Sequence, residues 1–308
     1  MTPTQIAYLI FSCVLLAAII IDFDLVSKKG ATITINKAFV QTGCWVILAL
    51  LFFCFLWYEK GHQAAAEYLS AYLMEWSLSI DNIFVFILIF NFFKIKEQFL
   101  SRVLLVGILM AIFLRIIFIT VGATLVENFH WILYLFGGLL VYTGIRMFRV
   151  KKQEGIDLEE NKIYKFLKRI LPITGEDGDG NLTINKNGKK LYTAILVVMI
   201  LLATTDIIFA IDSIPAVFGI TQDRLVIYTS NIFAVLGLRS LFFLLRGAVN
   251  RFTYLQQGIA IVLIFIGLKM LSEILEINIT VYVSLLIIVA CIGSAIFFSL
   301  WHQKKNIT

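Results

Sequence analysis

A chain of 308 residues that is 60% hydrophobic and 15% charged, with a mean hydropathy of +0.92, departs from soluble domains, which run about 45–50% apolar and about 25% charged. The excess falls in runs of about 20 residues, the length at which a helix crosses a hydrocarbon core, so a soluble globular fold is excluded and an all-α polytopic membrane protein is expected. The net charge of +6 does not imply nucleic-acid binding, because the Lys and Arg flank apolar runs, where they orient a chain in the bilayer.

In chain order, nine membrane spans are expected, at roughly 5–23, 38–58, 70–93, 103–124, 131–148, 193–218, 226–247, 254–272 and 279–301. The first reads as a retained helix rather than a signal peptide, since Met1–Ile21 lacks a basic leader and is followed by Asp22 and Asp24. Basic residues alternate between the connections: Lys28, Lys29, Lys37, Lys94, Lys96, Arg102, most of 149–190, Arg246, Arg251, Lys304 and Lys305 fall on one side, against Lys60 and Arg224 on the other. By the positive-inside rule the N-terminus is expected outside and the C-terminus in the cytoplasm, as in a bacterial inner-membrane protein.

The chain divides into two N-terminal helices (1–63), a three-helix unit (64–150), a cytoplasmic linker (151–192), a second three-helix unit (193–275) and a C-terminal helix with a short tail (276–308). Within the linker, Leu158–Leu171 reads as a basic amphipathic helix at the membrane surface. Leu182–Thr193 reads as a β-hairpin, with Asn187-Gly188 suited to a tight turn. Asp177-Gly-Asp179-Gly-Asn181 is read as an acidic turn and not a calcium loop, because Leu182 stands where such a loop needs glycine. Cys13, Cys44, Cys54 and Cys291 lie in apolar runs at no metal-ligand spacing and are read as small buried hydrophobes.

Two segments carry acids where a bilayer disfavours them. Glu75-Trp-Ser-Leu-Ser-Ile-Asp81-Asn82-Ile83 and Asp206-Ile-Ile-Phe-Ala-Ile-Asp212-Ser213-Ile214 share one pattern: an acid, five residues, then an aspartate followed by a small polar residue. A charge at the membrane centre costs roughly 2.5–3.5 kcal/mol even on the lenient scale, so intramembrane acids mark ion pathways or paired sites. The matches continue in order, with Leu114-Arg115 against Leu238-Arg239 and Gly144-Ile-Arg146-Met147 against Gly267-Leu-Lys269-Met270. Duplication of a three-helix unit follows, and an odd number of helices joined on one side places the second unit upside down relative to the first. Inverted repeats of this kind carry substrate at the midplane, often on broken helices. Pro215, three residues after Asp212, is the expected break in the sixth span.

Residues six apart on a regular helix are separated by about 9 Å along the axis and about 120° around it, so the acids of one motif do not share one small ion. A pseudo-twofold axis would instead bring Asp81 and Asn82 against Asp212 and Ser213, an oxygen-rich set suited to a hard divalent ion such as Mn²⁺, Mg²⁺ or Ca²⁺. With Glu75 and Asp206 the acids supply four negatives; Arg115 and Arg239 return two positives as compensating or gating charges. The two left over match one divalent cation or two protons, the arithmetic of metal–proton exchange. The competing reading is that each arginine pairs with an acid to stitch the bundle, the favoured one for the arginines alone. Arg146 and Lys269 are read as interfacial snorkelling residues, and Gly137 and Gly138 as sites of close helix contact.

At Ser77-Leu-Ser-Ile-Asp81-Asn82, at Asp206 through Ala216 and at Tyr228 through Ser240, the chain resembles the TerC family of integral membrane proteins. The resemblance covers about Ala64 to Leu275. It implies the LysE-like transporter superfamily, an acidic metal site at the positions above, and a role in manganese efflux or tellurite resistance. Many members carry a glutamate three residues before the aspartate that matches Asp206; this chain has Ala203 there. The leading expectation is a proton-coupled exporter of divalent cations, Mn²⁺ foremost, with no permanently bound cofactor and no enzymatic activity. The alternative is a non-transporting factor that supports stress resistance or the insertion and metalation of exported proteins, which would then be its partners. A tellurium oxyanion suits carboxylates poorly, since like charges repel.

Overall fold

A computed structural model of the chain describes residues 3–27, 34–149, 164–165, 168–169, 172, 174, 180–186, 189–246, 254–275, 277 and 279–305. The elements are α1 (Pro3–Ser27), α2 (Ile35–Lys60), α3 (His62–Phe92), α4 (Glu97–Asn128), α5 (Ile132–Arg149), β1 (Thr183–Lys186), β2 (Lys189–Tyr192), α6 (Ala194–Phe218), α7 (Arg224–Leu236), α8 (Leu238–Arg246), α9 (Leu255–Ser272) and α10 (Val281–Lys305), with one 3₁₀ turn at Glu273–Leu275. Among the described residues, six helices are long and apolar enough to cross a membrane (α2, α3, α4, α6, α9 extended to Leu275, and α10). The pair α7 and α8, bent by 41°, adds a seventh if it counts as one span, and Gln5–Ile20 and Ile132–Phe148 are shorter apolar helices.

The burial pattern is that of a multi-pass membrane protein. In α3, 71% of the most apolar window is buried, against 22% in α2 and in α10. The exposed side chains of α2 include Ile35, Phe39, Ile47, Leu51 and Trp57, and those of α10 include Leu286, Phe297 and Trp301. A helix apolar on its outward face as well as its inward one requires lipid around it. The inner layer is α3, α6 and α7 with parts of α4 and α9; α1 and α2 join it through Phe11 and Phe52, whose rings stand 5.7 Å and 5.1 Å from Phe233 of α7. Gly61, at φ 86°, occupies a left-handed conformation that only glycine adopts freely, and so lets α3 start directly after α2.

α5 packs on α9 more extensively than any other helix pair. A Cβ placed on Gly267 would lie 2.6 Å from the Gly137 carbonyl oxygen, 2.9 Å from Val141 N and 2.8 Å from Val141 Cγ2. One on Gly144 would lie 2.8 Å from the Ala260 carbonyl oxygen, 3.1 Å from Ile264 N and 2.6 Å from Ile264 Cγ1. Each contact of one helix has its counterpart in the other with the roles exchanged (137 with 260, 141 with 264, 144 with 267), and rising numbers on α5 meet falling numbers on α9. The two helices are therefore antiparallel at this crossing, and glycine is what lets their backbones touch.

β1 and β2 pair antiparallel, with Lys186 opposite Lys189. The hairpin is tied to the bundle by Thr193 Oγ1 donating to the Asn181 carbonyl at 2.7 Å and by Arg102 donating to that of Gly180 at 3.4 Å. The turn Asn187-Gly188, the acidic segment 177–179 and nearly all of the amphipathic helix expected at Leu158–Leu171 lie outside the described residues. Pro215 does not break α6, which continues to Phe218. The proline sits in the last turn, where losing one backbone donor leaves little helix to disrupt. The break among the membrane helices falls instead at Gly237, between α7 and α8.

Gly267→Val is expected to destabilise the protein by about 1–3 kcal/mol through overpacking, read as a lower unfolding temperature in detergent. Gly138, whose added Cβ would meet nothing within 4 Å, serves as the control. Gly138→Ala should leave that temperature unchanged or raise it.

Candidate cation site

Glu75, Arg115 and Asp206 each sit near the middle of their helix, and all three are buried, at 0%, 0% and 2% exposure. Arg115 of α4 forms an ion pair with Glu75 of α3. Its second terminal nitrogen lies 3.8 Å from Asp206 Oδ1 on α6. The nitrogen that meets Glu75 also donates to Asn231 Oδ1 on α7 at 3.1 Å. Asn231 is held in that orientation because its own Nδ2 donates to the Ile227 carbonyl at 2.9 Å, one turn back. One guanidinium thus joins four helices, two of them through the leading acids of the paired motifs.

The cluster is only partly satisfied. Glu75 Oε2 and Asp206 Oδ2 are buried with no hydrogen-bond partner, and so are Arg115 Nε and Nη2, while the buried Ser213 hydroxyl lies near Glu75. Ser79 Oγ reaches Glu75 Oε1 at 3.5 Å, a weak contact. Buried polar groups are ordinarily paired, and an unpaired one costs about 1–3 kcal/mol. Two carboxylates with one oxygen each left without a donor, and the Ser213 hydroxyl beside Glu75, make a place that suits protons, water or a hard cation, with oxygens as its candidate ligand atoms.

Of the residues expected to form a metal cage, the structure describes the side chains of Asn82, Asp212 and Ser213. Asp212 is half-buried and accepts from Thr143 Oγ1 of α5 at 3.0 Å, within electrostatic reach of Arg146. Its hydrogen bond thus goes to α5. Asn82 and Ser213 are buried, while the side chain of Asp81 lies outside the described residues. Among the described residues no group of three or more His, Cys, Asp and Glu side chains gathers in metal-ligand fashion. What converges is Glu75 with Asp206 around Arg115. Arg239 is buried on α8 and reaches Ser101 Oγ at 3.5 Å. Arg146 is exposed, as a snorkelling residue should be, but Lys269 at the matching place in α9 is buried, with Glu273 and Glu67 as its electrostatic neighbours. The reading of Lys269 as interfacial is corrected accordingly.

Three polar positions escape a reading based on acids alone. Asn231 lies in a quoted family motif, but one amide in an apolar run carries no sign of its partner. Thr143 stands one residue before Gly144 and is revealed only by contact. Glu67, eight residues before Glu75 and so about 12 Å away along α3, accepts from Thr221 Oγ1 at 2.5 Å and from Gln63 Nε2 at 3.0 Å. Beside it, Asp223 caps α7 by accepting from Leu225 N at 2.9 Å and pairs with Lys60. This end of the bundle is thus laced by polar contacts between α2, α3 and the turn from α6 to α7.

A protein-family model described as the integral membrane protein TerC family matches residues 60–307. Curated relatives extend over nearly the whole chain. An uncharacterized membrane protein of Myxococcus xanthus is 40% identical over 295 residues, 96% of this chain and 92% of its own. One of Rickettsia felis is 38% identical, over 97% of this chain and 98% of its own. A Salmonella typhi protein named as a proposed membrane-bound redox modulator, Alx, is 36% identical, over 96% of this chain and 95% of its own. No solved structure matches. With a family match over most of its length and relatives this similar from end to end, the chain belongs to the TerC family of integral membrane proteins.

Proposed function

We propose that the protein is a secondary transporter, not an enzyme, that exports divalent cations, Mn²⁺ foremost, from the cytoplasm in exchange for protons. The observation that carries this reading is the convergence of Glu75 and Asp206, matching positions of two similar motifs, on one buried arginine midway along the membrane helices, with one oxygen of each acid left without a donor. A purely structural ion pair gains nothing from orphaned acceptors, and a buried pair is in any case weak support for stability. Acids that must alternately hold a cation and protons need free lone pairs.

Two inverted three-helix repeats, α3–α5 and α6–α9, are part of the same reading. The exchanged contacts of Gly144 and Gly267 support it, since they are what a twofold axis perpendicular to both helices would produce. So does the packing of α3 on α7 and of α4 on α6, which are counterparts under that axis. The same reading counts nine crossings, with α1, α5 and the bent α7–α8 pair added to the six longer helices, and takes the basic connections as support for a cytoplasmic linker and C-terminus in a bacterial inner membrane. The name carried by the Salmonella relative suggests a second reading, in which the protein influences redox balance or exported proteins without moving an ion itself.

Purified protein in liposomes separates the two: Mn²⁺ flux that accelerates when an opposing pH gradient is imposed is expected, and its absence in folded protein defeats the transport reading. Glu75→Gln and Asp206→Asn should each lower that flux on the order of 10–100-fold, with the protein still inserted and monodisperse. Unchanged flux in both would remove the Arg115 cluster from the ion path.

A further inference from the structure

We infer that Arg115 is the site's own counter-cation, a tethered charge that occupies the two carboxylates when no transported ion is present and withdraws to Asn231 when one arrives. The inference rests on the cation-transport reading above and adds how the site is emptied and filled.

Three observations lead to it. The guanidinium stands between Glu75 and Asp206, where a cation shared by both acids would have to lie. With all three ionised the trio carries one net negative charge. A divalent ion that entered with the guanidinium still between the acids would meet a like charge at close range, whereas with Arg115 shifted toward Asn231 the ion and the two acids balance among themselves. The ion and the arginine therefore exclude one another at the acids.

The second observation is that Arg115 is poorly held where it is. Its Nε and Nη2 have no hydrogen-bond partner, and Nη2 stays at 3.8 Å from Asp206, too far for one. A permanent stitch of this kind would be expected to use the five donors of the guanidinium fully. The third observation is that an alternative anchor is already in contact. Asn231 Oδ1 accepts from Arg115 at 3.1 Å, and the bond from Asn231 Nδ2 to the Ile227 carbonyl keeps that oxygen turned toward the arginine. A small shift toward α7 therefore loses the acids and keeps the amide, and Glu75 Oε1 and Asp206 Oδ1 are freed to join the already unpartnered Glu75 Oε2 and Asp206 Oδ2 around the incoming ion.

The test measures Mn²⁺ binding to the full chain in lipid nanodiscs by titration calorimetry, beside flux in liposomes. Arg115→Gln removes the competitor and should bind Mn²⁺ about tenfold tighter or more, each tenfold being 1.4 kcal/mol, while flux slows because the ion is no longer displaced. Asn231→Leu removes the alternative anchor and should act in the opposite direction, weakening binding. Equal or weaker binding in Arg115→Gln overturns the inference and leaves the transport reading intact, provided the wild type moves Mn²⁺. Absence of flux in the wild type overturns the transport reading itself. If Arg115→Gln does not accumulate, Asn231→Leu decides alone: weaker binding supports the displaced arginine, and unchanged or tighter binding refutes it.

Discussion

A charge that cannot be solvated governs this molecule. Arg115 is fully buried in the middle of a membrane helix. Everything around it is constrained to supply negative charge and acceptors from different helices: Glu75 from α3, Asp206 from α6 and Asn231 from α7. Removing Arg115 would leave two buried carboxylates without their cation, at a cost of about 3–5 kcal/mol. The four helices are thus held in one register by electrostatics, where apolar packing alone would tolerate sliding, since lipid is as good a neighbour for leucine as another leucine is.

That register needs a second support, because one ion cluster fixes a point and not an orientation. The α5–α9 crossing provides it at a different place in the bundle. Gly137, Gly144 and Gly267 remove the side chains that would keep the backbones apart, and the contact is specific in both directions along the helices. Aromatic packing of Phe11 and Phe52 on Phe233 then binds α1 and α2 to α7 from outside. Outside this inner layer the surface turns apolar, and lipid takes over as the packing partner.

Much of this was legible in the residues. Hydropathy located the six long apolar helices, though α3 begins eight residues and α4 six residues before the expected spans, because apolar length marks where a chain must be helical in a bilayer and not where the helix ends. The paired acids identified α3 and α6 as carriers of the site. Which acids meet was only partly legible: Glu75 and Asp206 converge on Arg115 and Asp212 accepts from Thr143 on α5, while the side chain of Asp81, the expected partner of Asp212, lies outside the described residues. Rotation about a helix axis is set by its neighbours, and a linear pattern contains no neighbours. The same ignorance explains Lys269, whose counterpart Arg146 is exposed while it is buried beside α3. Pro215 misled for another reason, since its effect depends on how much helix follows it, and only Ala216, Val217 and Phe218 do.

For the proposed transporter, the distribution of interaction strength along the bundle matters more than its total. The polar lacing at one end consists of Lys60 with Asp223, Arg224 with Glu127 and Thr221 with Glu67; at the other, Arg246 pairs with Glu97. Several of these partners are well exposed, and exposed ion pairs are worth about 0–1 kcal/mol each. The α5–α9 crossing, by contrast, is in backbone contact and cannot be parted without opening a void. A bundle held firmly where its helices cross and weakly at its mouths yields first at the mouths. The hardest constraint at its centre is the partly satisfied arginine, the one strong contact whose charge an arriving cation can replace.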